Sequence, residues 1–271
     1  MFVQIQMMQL VDTHTHLYLN EFIPDRDDVI MRAIDCGVEK FFLPNIDSSS
    51  IAEMLKLVTR YPDHCYPMMG LHPTSVKENY LSELAVVRRE LENKRFYAVG
   101  EVGIDLYRDK TYEKEQIDAF HHQVNLALAH DLPLVIHSRN SFDLIVTILE
   151  EYNNPQLTGV FHSFTGDIRQ AEKAISLGFK MGIGGIVTFK NSGLDAVVRN
   201  IDLSHIILET DSPYLAPVPK RGKRNESAYL VYIAEKIAQL HSMDVARVAK
   251  TTTMNAMSLF GISKAPGKIT T

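Results

Sequence analysis

Short apolar runs alternate with stretches whose apolar positions recur every three or four residues, and the alternation continues through nearly the whole chain. The runs at 10–17, 40–45, 66–72, 96–104, 132–138, 157–164, 179–187 and 205–214 predict eight strands. Several are almost continuously hydrophobic, as strands buried on both faces are. Between them, Ile117, Phe120, Val124 and Leu128 repeat at helical spacing until Pro133, and Phe142, Ile145, Leu149 and Tyr152 repeat likewise. Helices over 25–34 and 168–177 are expected to stop at Gly37 and Gly178, where glycine favours the left-handed cap conformation. Leu230, Ile233, Ile237 and Leu240 mark a further helix, and a last one is expected from a cap near Ser242 to Phe260. Strict strand–helix alternation implies parallel strands joined by right-handed crossovers. Eight such units in 271 residues favour an α/β fold closed as a (β/α)8 TIM barrel over an open doubly wound sheet. With no linker or low-complexity stretch, 1–271 reads as a single domain with a frayed tail at 263–271.

Composition narrows the choice of class. Hydrophobic residues are 45% and charged residues 23%, ordinary values for a globular protein. No apolar run approaches the roughly 20 residues of a membrane-crossing helix, and residues 1–9 carry no leader pattern, so a cytoplasmic protein without membrane contact is expected. Cys36 and Cys65 lack metal-type spacing and are expected to be reduced, with small packing roles. A net charge of −5 argues against a broad basic face for duplex nucleic acid, but Lys220, Arg221, Lys223 and Arg224 form a local basic spot.

Where the polar residues fall adds the chemistry. Of eleven histidines, His14, His16, His72, His137 and His162 lie at or near the C-terminal ends of expected strands, as do Glu101, Glu209 and Asp211. In a closed parallel barrel these ends meet at one mouth, where active sites of the fold lie. His14 and His16, two apart in a strand, can present both imidazoles to one cation. Glu101 follows an apolar run, so burial would demand a cation or donor for it, and a carboxylate there can bridge two cations. Two consecutive strands close on the same pattern, apolar residues and then His137 or His162. Asp211, after Ile206-Ile207-Leu208, must likewise be paired or bound, and Glu209 on the same side fits a supporting partner.

Taken together, Asp12-Thr13-His14-Thr15-His16, Gly70-Leu71-His72-Pro73, Gly100 to Asp105, His137-Ser138-Arg139, His162 to Gly166, Glu209 to Leu215 and Gly222 to Glu226 resemble the TatD family of metal-dependent deoxyribonucleases. These pieces run in order along nearly the whole chain. The resemblance implies two divalent metal ions (zinc, magnesium, manganese or nickel), one held by His14, His16, Glu101 and Asp211, the other by Glu101, His137 and His162. It also implies substrate contacts from His72 and from Arg224 and Asn225, and a nucleic acid substrate taken at strand ends or single strands, with no obligate protein partner. Arg139 is a further candidate for the substrate's negative charge, and Asp211 with Glu101 for the catalytic carboxylates. Ser227 stands where the family usually has proline, so a looser loop is expected there.

The expected reaction is phosphodiester hydrolysis, in which two cations share a water whose pKa falls towards roughly 7 and Asp211 takes the proton. Two rivals stand beside it: a hydrolase of amides, lactones or aminoacyl esters on the same barrel, and a binding protein with a structural metal.

Overall fold

The computed structural model describes residues 8–107 and 109–262. Eight strands alternate with helices in the order the hydropathy pattern predicts. They are β1 Leu10–Asp12, β2 Val38–Pro44, β3 Cys65–Met68, β4 Val99–Asp105, β5 Leu134–Arg139, β6 Gly159–Phe161, β7 Phe179–Ile183 and β8 Ile206–Leu208. The helices are α1 Arg26–Asp35, α2 Ile51–Arg60, α3 Tyr80–Asn93, α4 Glu113–His130, α5 Phe142–Tyr152, α6 Ile168–Ser176, α7 Leu194–Asn200, α8 Leu230–Leu240 and α9 Val245–Leu259.

All strand pairs are parallel, β1–β2–β3 in one run and β4 to β8 in order in another. Two single bridges, Met69 with Val99 and Thr15 with Ser212, join the runs and close the ring. Backbone hydrogen bonds support both seams, from Met69 N to Ala98 O at 3.1 Å and from Thr13 N to Leu208 O at 3.0 Å. The fold is therefore a closed (β/α)8 barrel, and the open sheet is excluded.

Apolar residues form two buried clusters. The larger lies between strands and helices. The smaller takes Val11, Phe42, Met68, Val135, Val160 and Ile207 from six of the strands and Ala98 from just before β4, with Ala256 and Phe260 of the C-terminal helix end packed against them. This smaller cluster fills the barrel interior, which leaves the opposite, C-terminal end of the strands for polar groups.

Several strands stop earlier than the apolar runs do. β1 covers only Leu10–Asp12, and β8 only Ile206–Leu208, because the chain beyond each turns its polar groups inward rather than continuing a ladder. Residues 185–188 of the seventh run form a turn of 3-10 helix instead of strand. The last helix starts at Val245, since Ser242 takes a left-handed conformation (φ 52°) that cannot begin a helix. Cys36 is exposed and so has no packing role, whereas Cys65 is buried; both are free. No helix among the described residues is long and apolar enough to cross a membrane. The expected frayed tail at 263–271 lies outside the described residues.

Candidate metal centre

Strand alternation carries three of the side chains to the mouth. Val135, Val160 and Ile207 belong to the interior cluster, and two residues further on stand His137, His162 and Glu209, on the same face. Glu101 arrives differently. The β4–β5 register passes from Gly100 opposite Val135 to Val102 opposite Ile136, so Glu101 is an extra residue without a partner. A bulge of this kind re-aims one side chain, here into the mouth. Gly103 permits the close pairing that follows: its φ is +137°, and a Cβ there would meet the His137 carbonyl oxygen. His14 and His16 lie beyond the end of β1, where the chain bends at Thr13 and His14 and is then held by bonds from Thr15 N to Phe42 O (3.0 Å) and from His16 N to Ser212 O (2.8 Å). Asp211, at φ 55°, donates its own N–H to His14 O (2.9 Å) and brings its carboxylate over the same space.

The Glu101 carboxylate divides the imidazoles between its two oxygens. Oε2 lies 3.1 Å from His14 Nε2 and 3.7 Å from His16 Nε2. Oε1 lies 2.9 Å from His137 Nδ1, 3.3 Å from His72 Nε2 and 3.6 Å from His162 Nε2. Asp211 Oδ1 sits 3.6 Å from His16 Nε2, 3.9 Å from His14 Nε2 and 4.0 Å from His162 Nε2. Glu101 is 2% exposed, so an unscreened carboxylate lies at the centre of five rings.

Outer partners fix which nitrogen of each ring faces that centre. Tyr18 donates its one hydroxyl hydrogen to Pro44 O (2.5 Å), so the 2.9 Å contact with His16 Nδ1 must be donated by the ring. His16 Nε2 is then a bare lone pair aimed at Glu101 and Asp211. For His162, Nδ1 lies 3.0 Å from Glu209 Oε1, an ion-pair contact outside hydrogen-bond alignment, which turns Nε2 inward. His137 is reversed: Nε2 faces Asp105 Oδ2 at 3.0 Å and Nδ1 faces Glu101. Such carboxylate–imidazole pairs orient metal ligands. His72 differs in kind. Its Nδ1 accepts from Thr74 N at 3.1 Å, so its proton sits on Nε2, the atom near Glu101. His72 is therefore a hydrogen-bond donor at the mouth, not a lone-pair ligand. Distance alone would group His72 with Glu101 and His137 around a cation, and the tautomer argues against it.

Burial and charge act against one another in the pocket. Burial works to raise the Glu101 carboxyl, but the imidazoles of His72, His14 and His162 hold it well below the usual range. Burial also acts against protonating His162 and His137, yet Glu209 and Glu101 carry the first up to about 10, and Asp105 with Glu101 the second up to about 9. Asp12, wholly buried, is pushed up to about 7 by desolvation against hydrogen bonds that include two from Thr210. The residues fit a resident cation. His14 Nε2 and His16 Nε2 face one another at 3.3 Å, His14 Nδ1 is buried without a partner, and two groups of donors, His14 with His16 and Glu101 and His14 with His162 and Asp211, converge within metal-ligand reach. Mixed imidazole and carboxylate donors suit zinc, manganese or nickel, and magnesium less well.

A cavity of about 630 Å³ opens above this cluster, bounded by Arg139, Thr165, Ile186, Tyr214 and Leu215 among others. Arg139 lies across the Tyr107 ring, 3.9 Å from its centroid, with its charge at the rim. Two expected substrate contacts lie engaged with the protein itself. Asn225 is 0% exposed and gives its amide to Thr210 O (2.8 Å) and Tyr214 O (2.6 Å), so it clamps the loop. Arg224 binds Asp25 through both terminal nitrogens (2.8 and 2.7 Å) and lies outside the cavity lining. The Ser227 loop is not loose: Ser227 is fully buried, and Glu226 next to it pairs with Arg32 at 2.7 Å. Sequence reasoning passed over Asp105 and Tyr18. Tyr18 continues the His14–His16 alternation by two residues, and Asp105 ends the same run as Glu101, so both left a signal.

A profile of the family described as TatD related DNase matches residues 11–261. The metal-dependent hydrolase YabD of Bacillus subtilis is 36% identical over 255 residues, which cover 94% of this chain and all of that protein. The protein named 3'-5' ssDNA/RNA exonuclease TatD in Escherichia fergusonii is 32% identical, covering 94% of this chain and all of its own. Among solved structures, the TatD homologue YjjV of Escherichia coli superposes with a TM-score of 0.89 at 28% identity, over 95% of this chain and 100% of that one.

Proposed function

Since the chain belongs to the TatD family of metal-dependent hydrolases, we propose that it cleaves phosphodiester bonds in single-stranded or frayed nucleic acid, working inwards from a strand end. The observation that carries this reading is the division of the Glu101 oxygens, one towards His14 and His16, the other towards His137 and His162. One buried carboxylate between two sets of ring nitrogens is what a pair of cations needs to sit close without mutual repulsion. His14, His16, Asp211 and Oε2 would hold one, and His137 Nδ1, His162 Nε2 and Oε1 the other. Such ions supply Lewis acidity, lowering the pKa of a water towards roughly 7 and offsetting charge on the phosphoryl group.

The chain's own groups do the rest. Asp211 is the cluster carboxylate with the most solvent access, its side chain 15% exposed; it accepts the proton of the attacking water and returns it to the leaving oxygen as the P–O bond breaks. His72 donates from Nε2 to a non-bridging phosphoryl oxygen, a bond that strengthens as negative charge grows. Arg139, at the rim, draws the phosphate in and fixes its orientation. Tyr18, Asp105 and Glu209 keep the rings of His16, His137 and His162 turned the right way. The location is cytoplasmic, in keeping with two free cysteines.

The test is an activity panel on metal-supplemented protein with single-stranded DNA, RNA, duplex DNA, a lactone and an amide. Shortening of single strands, lost on chelation and restored by manganese or magnesium, is expected. Turnover of the lactone or amide alone would reject the phosphodiester reading.

A further inference from the structure

Ile186 lines the mouth cavity and also a second cavity of about 620 Å³, bounded by Phe189, Lys190, Asn191, Val218 and Arg221. This neighbouring groove lies beside the mouth, between the loops that follow β7 and β8. Its walls are fixed to one another. Val218 N donates to Thr188 Oγ1 at 2.9 Å, and Gly185 sits where a Cβ would meet the Leu215 carbonyl oxygen.

The chemistry of this outer part is distinct from that of the centre. Arg221 lies over the Phe189 ring, its guanidinium carbon 4.1 Å from the centroid. Lys190 and Arg221 are both exposed, and no carboxylate lines the cavity among the described residues, although the whole chain carries a net charge of −5. Arg224, from the same basic stretch, is neutralised by Asp25. Lys220 lies over the Tyr229 ring, so the cations that line the groove are Lys190 and Arg221. Flat stacking surfaces beside exposed cations are how proteins hold single strands without reading sequence.

We propose that this groove binds the nucleotides adjoining the one at the metal centre, with a base stacked on the Phe189–Arg221 pair and backbone phosphates against Lys190 and Arg221. The inference rests on the phosphodiesterase reading of the centre and adds to it a site for the rest of the strand. An enzyme built this way prefers oligonucleotides to a single nucleotide ester, and that preference lies in KM.

The test compares the parent with Arg221→Glu and Phe189→Ala as full-length proteins. Fluorescence anisotropy of a labelled single-stranded oligothymidylate is measured on metal-free protein, over a range of salt. Hydrolysis of the p-nitrophenyl ester of thymidine 5'-phosphate is measured with manganese. Arg221→Glu should weaken oligonucleotide binding by roughly tenfold or more and flatten its salt dependence by about one phosphate contact. Phe189→Ala should weaken binding with the salt dependence unchanged. Hydrolysis of the ester, which fills only the centre, should be preserved in both and so show that they fold. Unaltered oligonucleotide affinity in both variants, with the ester still turned over, would overturn the groove and leave the centre standing. A parent that binds the oligonucleotide through Arg221 yet does not hydrolyse the ester would overturn the reading of the centre and leave the groove.

Discussion

At the scale of single residues, the roles of the site groups rest on which atom carries a proton. Thr74 N–H occupies His72 Nδ1, so His72 donates from Nε2 where His16 Nε2 offers a lone pair. His72→Ala is therefore expected to lower turnover by roughly 10- to 1000-fold, as loss of a donor to a developing oxyanion does, while leaving metal content unchanged. Metal analysis of the purified variant checks this; a drop in bound metal would make His72 a ligand. Arg224 offers the opposite case. Its bidentate pair with Asp25 is partly exposed, each side chain about 32%, so Arg224→Ala should cost only about 1 kcal/mol of stability or less. Hydrolysis of a small phosphodiester should not change, and a large loss there would restore Arg224 to the substrate. The residues that meet at the mouth were legible in the sequence because histidines and acids closed apolar runs. The fates of Arg224 and Asn225 were not, since the partners that engage them, Asp25 and the carbonyls of Thr210 and Tyr214, are met only on folding.

At the scale of elements, the apolar runs marked all eight strands, but the ends of β1, β4 and β8 escaped them. The reason is that the mouth is built from departures from regular pairing: the unpaired Glu101 in β4 and left-handed turns at Ser163 and Asp211. Alternation predicts His137 and His162 because β5 and β6 stay regular up to them, and it cannot predict a bulge. The same geometry makes Gly103 a sensitive position. Gly103→Ala forces a side chain into a φ of +137° and against the His137 carbonyl oxygen, an expected cost on the order of 3 kcal/mol. Urea unfolding measures the loss, and a variant as stable as the parent would show that the β4–β5 pairing is not as tight as described.

At the scale of the whole molecule, ring closure joins chemistry spread from His14 to Asp211, and the two seams at Met69–Val99 and Thr15–Ser212 complete it. Burial elsewhere has its own consequence: desolvation pushes the Cys65 thiol up to about 12, whereas Cys36 is exposed. Below that value Cys65 stays protonated and inert, so a thiol reagent at mildly alkaline pH should label Cys36 in the folded protein and Cys65 only after denaturation. Rapid labelling of both would mean the β3 region opens readily. The central claim concerns occupancy of the mouth, and anomalous X-ray diffraction from manganese-loaded crystals addresses it most directly. Two peaks are expected, one beside each oxygen of Glu101, the first among His14, His16 and Asp211 and the second between His137 and His162. A single peak, or peaks away from Glu101, would contradict the account.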